Sequence, residues 1–176
     1  MKIDIRLVVA DHFRTLYNAR TKRVSFFDLI LFYLAPACVA SMVAIRGFDV
    51  GNDAYNVSIT FFGIFIALLL NIQVALFSIL QRRWIRPTDE RSARMQDGLI
   101  SERSGLLREL NSNISYLILV CCLALFAALL FYMLEWKTGS APALMVFFYL
   151  HFLLTVLMII KRAHALFQKE YHAPTE

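Results

Sequence analysis

The feature that most constrains this chain is a run of 28 residues, from Ala54 to Gln81, that contains no charged side chain. A helix rises about 1.5 Å per residue and the hydrocarbon core of a bilayer is about 30 Å thick, so roughly twenty apolar residues can cross it. Leu and Ile dominate the run, and it lacks the alternating pattern typical of a barrel strand. The run therefore predicts a membrane-spanning helix over about residues 57–80.

The composition extends this prediction to the whole chain. Of 176 residues, 59% are hydrophobic and 14% aromatic, and the mean hydropathy is +0.60, which is too apolar for a soluble domain. Three further apolar runs predict spans at about 26–45, 114–134 and 141–160. The expected fold class is all-α: an integral membrane four-helix bundle that forms one domain over residues 1–176, with helices that extend into the cytoplasm.

The distribution of charge predicts the orientation. The formal net charge is +5, and residues 1–25, 81–113 and 161–176 hold sixteen of the eighteen Lys and Arg residues, whereas the two short loops hold only Arg46 and Lys137. The positive-inside rule then predicts a multi-pass membrane protein with both termini in the cytoplasm, N-in and C-in. The basic residues form no dense patch interleaved with aromatics, so direct nucleic-acid binding is not expected.

The three segments outside the spans differ in their patterns. Apolar residues of segment 1–25 recur at steps of three and four, which predicts an amphipathic helix at the headgroups from about Ala10 onward, although alternation over Ile3–Leu7 fits a strand equally well. In the cytoplasmic loop, Asp97-Gly98 predicts a helix break, and one long helix is expected from Ser101 into the third span. The cytoplasmic tail, 161–176, continues the fourth helix as far as Tyr171.

Two residues of the first predicted span stand out. Pro36 lies in its middle and lacks the N–H of a helical hydrogen bond, so we expect a kink and a carbonyl that a neighbour must satisfy. Asp28 falls in the first turn, where the helix dipole favours a negative charge. A capping role near the headgroups is one interpretation of Asp28, and a buried ion-pair or proton-carrying role is the other.

The second predicted span carries a stripe of small and polar residues on one face. The members follow at steps of three and four: Thr60, Gly63, Ala67, Asn71, Ala75 and Ser78. Membrane helices pack through small residues and interhelical hydrogen bonds, so we expect the stripe to face the bundle or another protomer. The bulky residues around Phe62 would then face lipid or a neighbour's bulky side. Gln73 lies about 200° from Asn71 around the helix and must find a different partner.

The third and fourth spans carry weaker signals. Cys121, Ala124 and Ala128 form a shorter stripe of small residues on the third. His151 lies near the middle of the fourth, with Thr155 one turn further on, and an ionisable residue at that depth is a functional hypothesis by default. One interpretation is a neutral imidazole that is hydrogen-bonded to a carbonyl or a polar side chain, and the other is a polar conduit or gate formed with Asn71.

The sequence carries no constellation that predicts catalysis. No second ligand stands at helical spacing from His151, so no metal site is indicated. A nucleophile and base pair, a glycine-rich phosphate loop and paired intramembrane carboxylates are all missing, and the three cysteines lie in apolar runs. We therefore expect a protein that is not an enzyme and that needs no cofactor.

The layout of four compact spans, cytoplasmic termini, a basic N-terminal tail and one basic cytoplasmic loop resembles the small four-span membrane proteins of bacterial anti-phage systems, of the RexB and KwaA kinds. The resemblance covers the whole chain and is one of arrangement. It includes a last span with His151 at its centre, continued by the charged helix 161–171. It implies an oligomeric assembly that changes ion permeability or senses damage at the membrane and signals to a cytoplasmic partner.

Three functional hypotheses follow. The first is a homo-oligomeric sensor or permeabilising, channel-like component of anti-phage (antiviral) defence, embedded among membrane lipids. The second is a membrane anchor or scaffold whose loop 81–113 recruits a soluble cytoplasmic protein through its arginines: Arg82, Arg83, Arg86, Arg91, Arg94 and Arg103. The third is a proton-coupled transporter or redox subunit that uses His151 and Asp28.

Overall fold

The computed structural model describes residues 5–15, 17–18, 23–24, 30–81 and 90–171. Its elements are helix α1 (Ile5–Thr15), strands β1 (Tyr17–Asn18) and β2 (Arg23–Val24), a π-helical turn (Ile30–Leu34) that continues as α2 (Ala35–Arg46), and helices α3 (Asn52–Leu80), α4 (Glu90–Met133) and α5 (Ser140–Tyr171). The two strands pair antiparallel, with Tyr17 opposite Val24. Apart from this pair, the described elements are helical, so the predicted all-α class is confirmed.

Three of the helices are long and apolar enough to cross a membrane. Their apolar stretches are Asn52–Ile79, Arg103–Met133 and Ser140–Gln168. The predicted span 141–160 falls inside the last of these stretches, and the spans 57–80 and 114–134 fall inside the other two apart from their last residues. The fold is therefore that of an α-helical membrane protein.

The first predicted span, 26–45, is described only from Ile30 onward. The π-helical turn and α2 together form a shorter apolar helix, Ile30–Arg46, which at 1.5 Å per residue is about 25 Å long. It ends at Gly47, whose φ of 63° places it in the left-handed region that favours glycine and whose N–H bonds the carbonyl of Ala44. Asp28 lies outside the described residues.

Two predictions about helix limits are wrong. The helix α4 runs without a break through Asp97 and Gly98, so residues 90–100 belong to the same helix as the stretch expected from Ser101. A glycine inside a helix costs only about 1 kcal/mol relative to alanine, which is too little to interrupt a long helix. The helix α1 begins at Ile5, so the strand considered for Ile3–Leu7 is not formed over its described part, residues 5–7.

The helices pack in a chain of neighbours. The helix α3 packs mainly on α4, α4 also packs on α5, and α2 packs on α5, while α1 lies against α4. The helices α2 and α3 are consecutive in sequence but do not pack on each other to a comparable extent. They are therefore the two edges of the bundle.

A seven-residue repeat forms the contact between α3 and α4. The buried residues of α3 in this core are Tyr55, Phe62, Leu69 and Leu76, and those of α4 are Leu107, Leu110, Ile114, Leu117, Cys121, Ala124 and Ala128. Steps of three and four that sum to seven are typical of helices packed side by side with interlocking side chains. The Tyr55 ring meets that of Phe131, and Gly63 lies beside Leu125. The small residues of α4 thus face the aromatic half of α3.

Candidate functional site

The most polar part of the bundle interior is centred on His151 of α5, whose side chain is only 2% exposed. Its Nδ1 lies 2.9 Å from the carbonyl oxygen of Phe32, and its Nε2 lies 2.9 Å from the hydroxyl of Tyr116. A carbonyl oxygen only accepts hydrogen bonds, so Nδ1 carries the proton and donates it. Nε2 then accepts from the Tyr116 hydroxyl, and the imidazole is neutral with both nitrogens engaged.

The carbonyl of Phe32 is available because of the proline four residues later. In an α-helix this oxygen would accept the N–H of residue 36, and Pro36 has none. The backbone just before Pro36 forms the π-helical turn, a conformation that often accompanies interrupted helical hydrogen bonding. His151 thus supplies the hydrogen bond that Pro36 removes, which is the kind of compensation that proline in a membrane helix requires.

Tyr116 extends the network to two further elements. The hydroxyls of Tyr33 and Tyr116 are 3.0 Å apart, and because Tyr116 donates to His151, Tyr33 donates to Tyr116. On the other side, the ring of His12 stacks on the ring of Tyr116, with centroids 3.8 Å apart and planes within 7°. The network therefore joins α1, the π-helical turn, α4 and α5.

His12 is the second buried histidine, and its side chain is fully excluded from solvent. Its Nδ1 lies 2.9 Å from Oδ1 of Asn113 and donates to it, and the hydroxyl of Thr15 donates to the same oxygen at 2.8 Å. Nε2 of His12 and Nδ2 of Asn113 are buried and have no hydrogen-bond partner within the described part of the chain. Burial lowers the pKa of His12 to about 4, against the opposing effect of the Asn113 hydrogen bond, and the positive charge of Arg162 lowers it further.

Arg162 closes the network at the end of α1. Its Nη1 donates to Glu109 Oε2 at 2.8 Å, and its Nη2 donates to the carbonyl oxygen of Thr15. A guanidinium at this carbonyl satisfies one of the acceptors that a helix leaves free at its C-terminal end. Three elements, α1, α4 and α5, are thus held together by one side chain.

The stripe predicted on the second span does not face the bundle. Its members Thr60, Ala67, Asn71, Ala75 and Ser78 are exposed, and Gly63 is half-buried. Of the two alternatives, packing inside the bundle is therefore wrong, and a contact with another protomer stays a prediction. The reason is that only one side of α3 can pack on α4. The side with Tyr55, Phe62, Leu69 and Leu76 packs beside the small residues of α4, so the stripe faces outwards.

The polar groups of this exposed stripe are satisfied to different degrees. The hydroxyl of Thr60 donates to the carbonyl oxygen of Asn56, and the hydroxyl of Ser78 donates to that of Ala75, both within the same helix. The amide of Asn71 has no hydrogen-bond partner among the described residues. Its counterpart Gln73 is half-buried, and its Nε2 donates to Ser115 Oγ at 2.6 Å and lies 3.3 Å from Asn111 Oδ1.

The other predicted site residues fall in several places. Thr155 is buried and donates to the carbonyl of His151 one turn earlier, so it satisfies its own helix. Asn71 and His151 do not meet, because the partners of His151 lie on the π-helical turn and α4. Of the loop arginines, Arg82, Arg83 and Arg86 lie outside the described residues, while Arg91, Arg94 and Arg103 belong to α4. Arg103 is half-buried.

Four residues of the network were missed from the sequence. Tyr33, Asn113 and Tyr116 are polar residues in or beside apolar runs, and that position is the signal that could have indicated them. His12 lies in segment 1–25, for which the sequence predicted an amphipathic helix and no site residue. No group of three His, Cys, Asp or Glu side chains in the described part of the chain could hold a metal ion. The network is chemically a junction of hydrogen bonds and stacked rings.

Comparisons with family models, with curated proteins and with solved structures find no match to this chain.

Proposed function

We propose that this chain is an inner-membrane protein, with both termini in the cytoplasm, that self-associates through the exposed stripe of α3 and acts as a sensor or permeabilising component of a bacterial anti-phage system. We call Thr60, Ala67, Asn71 and Ser78 the α3 face. The observation that carries the proposal is the amide of Asn71, exposed on an apolar helix and without a partner among the described residues.

An unpaired amide in hydrocarbon is costly, and an interhelical hydrogen bond is the usual way to satisfy it. A second copy of the chain offers the same face, so that two Asn71 amides can each donate to the other. Ala67, one turn away, lets two backbones approach closely. A self-complementary contact of this kind is typical of symmetric membrane oligomers.

A path for ions would lie between subunits. The interior of one chain is filled by the α3–α4 core and by the aromatic rings of Phe61, Phe65 and Phe152, whose centroids lie 4.7 to 5.3 Å apart. Polar side chains such as Thr60 and Asn71 lie instead on the outside of α3. A ring of copies would bring these side chains around a common axis, which supports a permeabilising role. The placement in phage defence rests on the resemblance of the layout.

The test of self-association compares Asn71→Leu with Gln73→Leu. Subunits are counted by single-molecule photobleaching of fluorescently labelled protein in nanodiscs. We expect Asn71→Leu to shift the population to monomers, whereas Gln73→Leu, whose partners lie within the same chain, keeps the wild-type oligomer. An unchanged oligomer in Asn71→Leu would contradict the proposed interface.

The test of function uses the same two variants in cells. Expression of the wild type is expected to reduce plaque formation by phage and to increase potassium efflux after infection, and Asn71→Leu is expected to lose both effects. Protection that persists without efflux would favour sensing over permeabilisation. Wild-type cells that show neither protection nor efflux would contradict the proposed function.

A second candidate function, a scaffold for a soluble partner, is favoured by the length of α4. This helix has 44 residues, and residues 90–102 precede its apolar stretch. These thirteen residues would project about 20 Å beyond the membrane. Replacement of Arg91, Arg94 and Arg103 by Ser, followed by affinity purification, tests it: a lost partner with unchanged efflux favours the scaffold.

A further inference from the structure

A cleft separates the two edge helices at the end of the bundle where α2 and α3 are connected. Its volume is about 660 Å³, and it is lined by α2, the connection, α3 and the first turns of α5. It exists because α2 packs on α5 and α3 packs on α4, while α2 and α3 leave a gap between them. We call it the α2–α3 cleft.

The connection that closes the cleft is tied to the neighbouring loop. The N–H of Val50 donates to the carbonyl of Lys137 at 3.0 Å, and the hydroxyl of Tyr55 donates to the carbonyl of Trp136 at 2.7 Å. The α2–α3 connection and the first turn of α3 are thus bonded to the α4–α5 loop. This end of the cleft is therefore held by hydrogen bonds that do not depend on an occupant.

The wall of the cleft presents hydrocarbon. Two of its polar side chains are engaged within the protein, since Tyr149 donates to Ser58 at 2.9 Å and Ser58 donates to the carbonyl of Ala54 at 2.7 Å. Apart from Asp49, Asp53 and Tyr55, the remaining lining is apolar and includes Val43, Phe48, Val57, Pro142, Met145 and Val146. An occupant of this space gains no hydrogen bond from Tyr149 or Ser58 beyond those they already make, and is selected by its apolar surface.

Two carboxylates lie at the edge of this apolar space. Asp49 of the connection and Asp53 in the first turn of α3 both line the cleft and are exposed. Neither makes an ion pair with any residue that the structure describes. Lys137 lies 4.0 Å from Glu135, and Arg46 is not among the lining residues. The charge pattern is two negative groups beside a hydrocarbon-lined space.

We propose that the α2–α3 cleft binds a membrane lipid with a primary ammonium headgroup. One acyl chain lies along Val57, Met145 and Val146, and the ammonium group lies between the carboxylates of Asp49 and Asp53. A membrane lipid is the favoured source because the cleft lies between two apolar helices of a membrane protein, and Val57 at its edge is 65% exposed. The cleft volume is within the range of ordinary ligand sites, about 300–1,000 Å³.

The experiment is native mass spectrometry of the full chain, purified in detergent and mixed with lipids of identical acyl chains. Phosphatidylethanolamine is compared with phosphatidylglycerol, which has no amine. We expect the wild type to retain phosphatidylethanolamine preferentially, and the double variant Asp49→Asn, Asp53→Asn to lose about fivefold in retention, as expected for loss of an exposed ion pair. Equal retention of the two lipids by the wild type would overturn the proposal.

A matched control separates the cleft from the general surface charge. Glu135→Gln removes an exposed carboxylate from the α4–α5 loop, outside the cleft. It is expected to leave phosphatidylethanolamine retention unchanged. The same loss in Glu135→Gln as in the double variant would show that surface charge, not the cleft, attracts the lipid.

A second pair of variants tests the acyl-chain part independently of charge. Val57→Trp fills the cleft from an exposed position, so the fold does not have to rearrange around it. Ile64→Trp adds the same side chain at an exposed position of α3 that does not line the cleft. We expect only Val57→Trp to lose retention. Equal retention in the two variants, both with wild-type circular dichroism, would overturn the proposal.

Discussion

Two polar regions of this protein lie in apolar surroundings. They differ in whether their hydrogen-bonding groups find partners within the chain. Around Tyr116, side chains from four elements converge, so that both nitrogens of His151 and the hydroxyl of Tyr33 are bonded inside one chain. On the α3 face, Asn71 is exposed and has no partner among the described residues. Polar residues in the first region therefore stabilise the monomer, while those in the second are available to another chain.

The largest expected effect of breaking the first region comes from His151→Leu. The change leaves the carbonyl of Phe32 buried without a partner and deprives the Tyr116 hydroxyl of its acceptor, although Tyr33 still donates to that hydroxyl. Each buried group that loses its partner costs about 1–3 kcal/mol. We expect a loss of about 4 kcal/mol in the free energy of unfolding, measured by SDS titration in mixed micelles. A loss below about 1 kcal/mol would show that the network contributes little to stability.

The link between Pro36 and His151 provides the matched test. Pro36→Ala restores an N–H that can bond the carbonyl of Phe32, so it should lessen the effect of His151→Leu by about 1 kcal/mol in a double-mutant cycle. Pro142→Ala, at the other buried proline near a helix start, should show no coupling with His151→Leu. Equal coupling for the two prolines would contradict the role given to the Phe32 carbonyl.

The next effect concerns pH and the docking of α1 on the network. Because the pKa of docked His12 is lowered from 6.5 to about 4, docked α1 binds fewer protons than free α1 between these values. Docking is therefore strongest above pH 6.5 and weakens as the pH falls towards 4, by about 3 kcal/mol in all. Faster hydrogen exchange of α1 at pH 4.5 than at pH 7.5, after correction for the intrinsic rate, is the expected measurement.

Two histidine variants control this experiment. His12→Leu should remove the pH dependence, whereas His164→Gln, at an exposed position of α5, should retain it. A pH dependence that survives in His12→Leu would assign the titration to another group.

A smaller effect separates the two stripes of small residues. Ala124 of α4 is fully buried against the core, and Ala124→Leu should cost about 2 kcal/mol in monomer stability through overpacking. Ala67 of the α3 face is exposed, so Ala67→Leu should leave monomer stability within about 0.5 kcal/mol and weaken only the oligomer. SDS titration of both variants and subunit counting check this difference. Equal destabilisation of the monomer would mean that the faces were assigned wrongly.

The smallest effect compares the two amides of α3. Gln73→Leu removes the hydrogen bond to Ser115 of the same chain and should cost about 1 kcal/mol in monomer stability. Asn71→Leu should leave the monomer unchanged or slightly more stable, since an exposed amide is replaced by an apolar side chain. The same SDS titration measures both. A monomer destabilised equally by both changes would show that Asn71 has an intramolecular role.

Much of the fold could be predicted because hydropathy acts over short segments. Bilayer thickness relates directly to the number of apolar residues in a row, and for this reason the predicted spans 57–80, 114–134 and 141–160 lie within α3, α4 and α5, apart from residue 134, although all three helices are longer than the spans. The break predicted at Gly98 does not occur. The helix-propensity cost of one glycine is only about 1 kcal/mol, which is too small to interrupt a helix of 44 residues. Local preferences of that size yield to the continuity of a long helix.

The candidate site could be predicted only in part. His151 was identifiable because a single ionisable residue in an apolar helix needs a partner. Its partners could not be identified, since Phe32 contributes a backbone carbonyl and lies 119 residues away, and Tyr116 lies 35 residues away. The availability of that carbonyl depended on Pro36, whose effect on its own helix was predictable while its link to α5 was not.

The sequence by itself determined that this is an α-helical membrane protein, which stretches are long enough to cross a bilayer, and that His151, Asn71 and Gln73 each need a hydrogen-bond partner. Only the tertiary structure decided which of them finds one within the chain. A helix has several faces that could pack, and the choice depends on the partner: the small residues of α4 accept the aromatic side of α3. That pairing turns Gln73 towards Ser115 and leaves Asn71 outside.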